Sequence, residues 1–257
     1  FSTLGYHRSR AQLGIQLPPL IWNTVTCDAS ERLRGESLQF LGADPVAIVE
    51  MLLEGRNLSD STLGHISRLG QLASRDKIPM VADFVRGLAE QGEKVLVFTN
   101  YRATVEARYE ALGKHCVTVA TYGGGHVSDG GDVVKKFRAM DGRVLISTFG
   151  VLGVGVNLQE IGHVVHHDLS WEPSVHVQAT ARAWRRGRTD TVCAYLAFAQ
   201  HSLDELLARA LVRKYSMIST LDVAFDIADY GGLHALRDSI SKQDVQSWVD
   251  AILRGAQ

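Results

Sequence analysis

The chain has 257 residues, 46% hydrophobic and 21% charged, with 24 glycines and 5 prolines, which is ordinary for a folded protein and excludes intrinsic disorder and collagen. That length suffices for one large or two small domains with a real core. Its 27 basic and 28 acidic residues leave a net charge of −1, so nucleic-acid binding would have to come from local clustering rather than from a bulk polycation.

In chain order, the first ninety residues read as mostly helical. Helices are expected over 28–41, 44–53 and 79–90, the last being amphipathic. From residue 93 onward, short apolar β-branched runs alternate with helical stretches. VLVFT (95–99) reads as a buried strand, followed by a helix over 102–112 with Gly113 as its stop. A second strand at 117–120 ends in the glycine-rich loop 123–131, and a helix over 133–140 leads to a third strand at 143–147. A fourth strand at 163–167, a helix over 174–186 and a fifth strand at 191–198 complete the pattern. Continuous apolar strands separated by helices indicate a parallel sheet covered on both faces, an α/β domain. Ser202-Leu203-Asp204-Glu205 has the pattern of a capping box, so a helix is expected over 202–214 and a last one over 244–254. The expected organisation is a junction plus helical segment (1–90), an α/β domain (91–215) and a helical extension (216–257).

Several motifs are missing or are decoys. No G-x-x-x-x-G-K-[ST] occurs, so the sequence holds no phosphate-cradling P-loop, and H-E-x-x-H and G-x-S-x-G are also missing. Asp204-Glu205 resembles an acidic metal-binding pair but reads better as a helix start. Gly153-Val154-Gly155 with Asp168 is a partial dinucleotide fingerprint, with Leu158 at the third glycine and too short a spacing to Asp168. The His166-His167 pair lacks metal-ligand spacing and reads as core, and no metal site is expected. Cys27, Cys116 and Cys193 are odd in number and widely spaced, which suits a reducing compartment. No apolar run reaches the roughly 18 residues of a membrane span, and no leader segment stands at Phe1. An intracellular protein with no membrane partner is expected. Because there is no initiator Met, the chain is expected to be an excised piece.

Two features point to chemistry. On the expected helix 174–186, Gln178, Arg182 and Arg185 fall at i, i+4 and i+7 and share a face. Val177, Ala181 and Trp184 share the other, where they can pack on the sheet. Two guanidiniums a turn apart suit a multiply charged phosphate, and the helix enters from a strand end at Asp168, where open α/β sheets place ligands. A solvated basic face with no role fits the spacing equally well. The second feature is Gly150, Gly153 and Gly155, which allow close backbone approach to a phosphate or ribose beside the hydroxyls of Ser147 and Thr148. A simple turn fits as well.

The stretch VLISTFGVLGVGVNLQEIGHVVHHDLSWEPSVHVQATARAWRRGR (144–188) resembles motifs V and VI of helicase superfamily two, specifically the Swi/Snf-type DNA-translocating ATPases. The matching parts are Ser147-Thr148, the turn from Gly153 to Leu158, Asp168 with Trp171 and Pro173, then Gln178, Arg182 and Arg185. VLVFTNY resembles the family's motif IV, HRSRAQLGIQLPPL its junction after the first motor lobe, and Lys77 also fits. Ala181 stands where the family has Asp or Gly, Arg188 where Gln is common, and the motif V turn is one residue longer.

The resemblance implies a RecA-like second lobe of a double-stranded DNA translocase or remodeller, used inside a larger protein and inactive alone. ATP and Mg²⁺ would be held mainly by a first lobe outside the sequence. By the same resemblance, Arg182 and Arg185 would be arginine fingers, with Gln178 placing the nucleotide. Gly153, Gly155 and Asn157 would link nucleotide state to the DNA-facing turn, while Thr99, Ser147 and Thr148 would touch the DNA backbone. Double-stranded DNA, the first lobe and a protein target of remodelling are the implied partners. A RecA-shaped docking module without activity and a strand-separating helicase are the alternatives.

Overall fold

A computed structural model describes residues 17–42, 59–121, 130–152 and 155–221, with side chains described as far as Val212. The expected helices over 44–53 and 244–254, most of the loop 123–131, the junction before residue 17 and Gly153 lie outside the described residues.

The sheet has six parallel strands in the order β1-β6-β5-β2-β4-β3. They are β1 (Leu20–Asp28), β2 (Val95–Thr99), β3 (Thr118–Thr121), β4 (Val144–Thr148), β5 (His163–His166) and β6 (Val192–Gln200). The described helices are α1 (Glu31–Leu41), α2 (Asp60–Asp76), α3 (Ile78–Glu90), α4 (Arg102–Leu112), α5 (Gly130–Ala139), α6 (Phe149–Leu152), α7 (Pro173–Thr180) and α8 (Leu203–Leu221).

The five expected strands are all present, within two residues at each end. The sixth, β1, was not expected. It lies in the stretch read as junction and helices, so the sheet begins at Leu20 and not near residue 93. It pairs along its whole length with β6, from Leu20 opposite Val192 to Asp28 opposite Gln200. As an edge strand it buries only Trp22, and the long apolar run that marks an interior strand is missing. α2 was also missed; Gly64 and Gly70 within it weaken the helical signal. Its start is fixed by Ser59, whose Oγ accepts from the Thr62 amide at 3.2 Å. Ser30 caps α1 in the same way through Leu33, so Asp28 ends a strand instead of starting a helix.

Strand alternation divides the core between two faces. Leu96, Phe98, Leu145 and Val164 meet Val133, Val134 and Phe137 of α5, Leu152 of α6 and Ala179 of α7. Val95, Val97, Val144, Ile146 and Val165 point the other way, onto Val81 and Val85 of α3 and Val105 and Leu112 of α4. α8 covers β6 and Trp22 through Ala208, Leu211 and Val212. This is a RecA-like α/β layer with helices on both faces.

The chain continues from β2 to β3 and β4 on one side, and from β5 to β6 on the other. The direction therefore reverses between β2 and β5, and a crevice opens beyond their carboxyl ends.

Candidate functional site

The crevice between β2 and β5 is filled by the protein's own polar groups. Asp168, just past β5, accepts a short bond from the Thr99 hydroxyl and another from the Asn100 amide at 2.8 Å. Lys77, at the α2–α3 junction, places its Nζ 2.8 Å from Asp204 and 3.9 Å from Asp168, and donates to the Ala197 carbonyl at 3.1 Å. Beside them Arg108 donates to His167 Nδ1, while His167 Nε2 donates to the Ser74 carbonyl at 2.8 Å. Those bonds fix the tautomer of a neutral imidazole. Burial, followed by the charges of Arg108 and Lys77, pushes the His167 pKa well below its usual range. Lys77 is thus the cation set between two buried carboxylates, Asp168 and Asp204, with the buried Arg108 beside it, bonded to His167 and to the Lys77 carbonyl.

Asp204 therefore does more than start a helix. Its Oδ2 accepts from the Ala199 amide at 2.9 Å as well as pairing with Lys77. The capping pattern is present but offset: Ser202 Oγ accepts from the Asp204 amide at 3.2 Å, and Glu205 reaches the His201 amide at 2.8 Å. His166 is core, stacked with Trp22, Phe98 and Phe149.

The sequence-derived site residues separate into two groups. Thr99, Ser147 and Thr148 stand at the carboxyl edge of the sheet, with Thr99 opposite Thr148 in register. Thr99 is fully buried with its hydroxyl committed to Asp168, and Ser147 is buried with its hydroxyl donated to the Thr148 carbonyl at 2.9 Å. Thr148 is half-buried.

The arginine group lies elsewhere. The expected helix 174–186 stops at Thr180, so the i, i+4, i+7 argument does not place Arg182 and Arg185 on one helix face. Gln178 is exposed on α7. At Ala181 the backbone leaves the helix through a tight turn, and the Arg182 carbonyl accepts from the Leu158 amide at 2.9 Å. Trp184 Nε1 donates to the Pro18 carbonyl at 2.7 Å, and Pro19 accepts from Val192, which ties this segment to the amino ends of β1 and β6. Arg182 and Arg185 therefore lie on the approach to β6, away from the carboxyl edge that Asp168 had suggested. Arg182 is half-buried and Arg185 exposed. Burial, and then the neighbouring charge of Arg185, lowers the Arg182 pKa. Adjacent like charges of this kind are relieved by an anion and suit a phosphate.

Gly155 and Asn157 are exposed in the turn before β5. Gly155 has φ +83°, a left-handed conformation that resists a side chain. This turn touches the arginine segment at several points. Gln159 donates to the Arg186 carbonyl, and Arg188 donates to the carbonyls of Gln159 and, at 3.1 Å, Ile161. Gly187, at φ +96°, makes the corner between these arginines. Arg188 had been noted only as a departure from the family pattern; its bonding to carbonyls across the turn leaves no local signature.

No group of three or more His, Cys, Asp or Glu that could hold a metal ion occurs among the described residues. Nor is any described helix long and apolar enough to cross a membrane.

Residues 76–187 match the family model described as the helicase conserved C-terminal domain. Curated relatives include an uncharacterized ATP-dependent helicase, YqhH, of Bacillus subtilis, 29% identical over 58% of this chain and 26% of the relative. Another is the DNA repair and recombination protein RAD26 of Saccharomyces cerevisiae, 22% identical over 91% of this chain and 24% of the relative. The chain thus spans about a quarter of the length of these relatives. Among solved structures, the C-terminal part of the Fun30 ATPase domain aligns over 93% of this chain and all of that one, with a TM-score of 0.56 at 14% identity. The SWI2/SNF2 ATPase core of Sulfolobus solfataricus, solved with double-stranded DNA, aligns over 91% of this chain and 50% of that one, with a TM-score of 0.56 at 17% identity.

Proposed function

We propose that residues 76–187, which match the helicase conserved C-terminal domain, make a Swi/Snf-type helicase C-terminal lobe, and that the chain is the second motor lobe of an ATP-dependent double-stranded DNA translocase. Its partners are a first lobe holding ATP and Mg²⁺, the duplex it tracks, and a protein target of remodelling. Parallels supporting this reading are a relative named for ATP-dependent helicase activity and a structural neighbour solved with double-stranded DNA. The observation that carries it is the Arg182–Arg185 pair, two neighbouring cations at a turn bonded to the Gly155–Ile161 turn.

On this reading Arg182 and Arg185 meet the terminal phosphate of ATP across the interface between lobes. They stabilise the negative charge of the phosphoryl-transfer transition state, a contribution of roughly 10³–10⁵ in rate for an arginine finger. Gln178 orients the nucleotide from α7. The turn carrying Gly153, Gly155 and Asn157 passes nucleotide state to the DNA side. Thr148 and the amides at the carboxyl edge bind sugar-phosphate without reading bases, with Ser147 and Thr99 supporting the strand ends from beneath. Opening and closing of the lobes then steps this one along the duplex.

The test compares two substrates for the two-lobe parent protein. Displacement of a third strand from a triplex, with no separation of a forked duplex, is the expected result. Fork separation would replace this reading with a strand-separating helicase. Binding without either activity would leave a docking module. The isolated chain is expected to show no ATP hydrolysis.

A further inference from the structure

The turn before β5 is gripped from both sides by arginines that bond to alternate backbone carbonyls. From α5, Arg138 donates to the Asn157 carbonyl at 2.8 Å and pairs with Glu160 at 2.7 Å. From the other flank, Arg188 donates to the carbonyls of Gln159 and Ile161, and its Nε donates to the Asp190 carbonyl at 3.1 Å. Two further bonds run along the same seam, from Leu158 to the Arg182 carbonyl and from Gln159 to the Arg186 carbonyl. Arg188 reaches three carbonyls, Nη1 serving Gln159 and Ile161 and Nε serving Asp190, from a rigid planar set of donors that a lysine or a glutamine lacks.

We propose that Arg188 is a positioning residue that fastens the Gly155–Ile161 turn to the Arg182–Arg188 segment, so that the two move as one body. Arg138 holds the opposite flank of that body against α5. Arg188 acts through the backbone carbonyls it holds. Its role is to keep the arginines and the turn in register while the lobe moves. The coupling role rests on the reading above, but the mechanical joint does not.

Two measurements test it. The first is hydrogen exchange on this chain, which needs no activity. In Arg188→Ala, peptides spanning 155–162 and 181–190 are expected to lose protection together, and Arg188→Lys to restore only part of it. Loss in one peptide alone, or in neither, overturns the joint. The second is ATP hydrolysis by the two-lobe parent with and without duplex DNA. Arg188→Ala is expected to lower the DNA-stimulated rate roughly fivefold more than it lowers the basal rate. An equal fall in both rates, or no change in either, overturns the coupling. Should the unmodified parent show no DNA stimulation, the translocase reading falls, and the joint still stands or falls on the exchange data.

Discussion

Lys77 is 1% exposed, larger than any core leucine, and paired with carboxylates. Removing one partner of such a pair leaves the other uncompensated in a dry interior, at a cost of about 3–5 kcal/mol. Lys77→Met or Asp204→Leu alone is therefore expected to lower the unfolding free energy, measured by chemical denaturation, by that amount, and the two together to recover most of it. A pair of changes that simply adds would contradict the ion-pair assignment. His176 gives the chain an acid sensitivity of its own. Its Nε2 accepts from the Ser170 amide, and burial pushes its pKa down to about 4. Because the folded value lies below the unfolded one of about 6.5, the stability it contributes is complete above 6.5 and is lost as pH falls toward 4. The loss is on the order of 3 kcal/mol, read as a fall in melting temperature across that window that His176→Gln lessens, with the buried His166 and His167 contributing to what remains.

Among the elements, β1 closes the sheet at one edge and depends on Trp22, which is 2% exposed beneath α8. Trp22→Ala is expected to cost about 3–5 kcal/mol, measured by denaturation, with the β1–β6 amides losing exchange protection first. Legibility followed burial. β2 and β4 were evident because every residue of VLVFT, and all but the last of VLIST, is buried, leaving continuous β-branched runs. β1 has one buried position in nine and escaped notice. The helix ending at Thr180 was overextended because the apolar spacing of Val177, Ala181 and Trp184 continues past the point where the backbone turns. What ends it is a tertiary bond, Leu158 to Arg182, to which local periodicity is blind. The same holds for the candidate site. The residue types of Arg182, Arg185 and Asn157 stood out in the sequence, whereas the Lys77–Asp204 pair and the Arg188 fork join segments dozens of residues apart.

For the whole molecule, the carboxyl edge of the sheet and the arginine turn lie at different ends of the strands, connected by α7 and the turn before β5. That separation suits a lobe that meets a nucleotide on one side and a backbone on the other. Binding through phosphates without base readout predicts affinity for duplexes of unrelated sequence within a few-fold, falling steeply with salt. A strong preference for one sequence, measured by competition, would count against it. The most direct measurement is ATP hydrolysis by the two-lobe parent, with and without duplex DNA, beside Arg185→Ala. Strong stimulation by duplex, reduced by roughly 10³-fold or more in the variant, is the predicted result. Hydrolysis indifferent to both the duplex and Arg185 would contradict a DNA-driven motor whose finger sits on this turn.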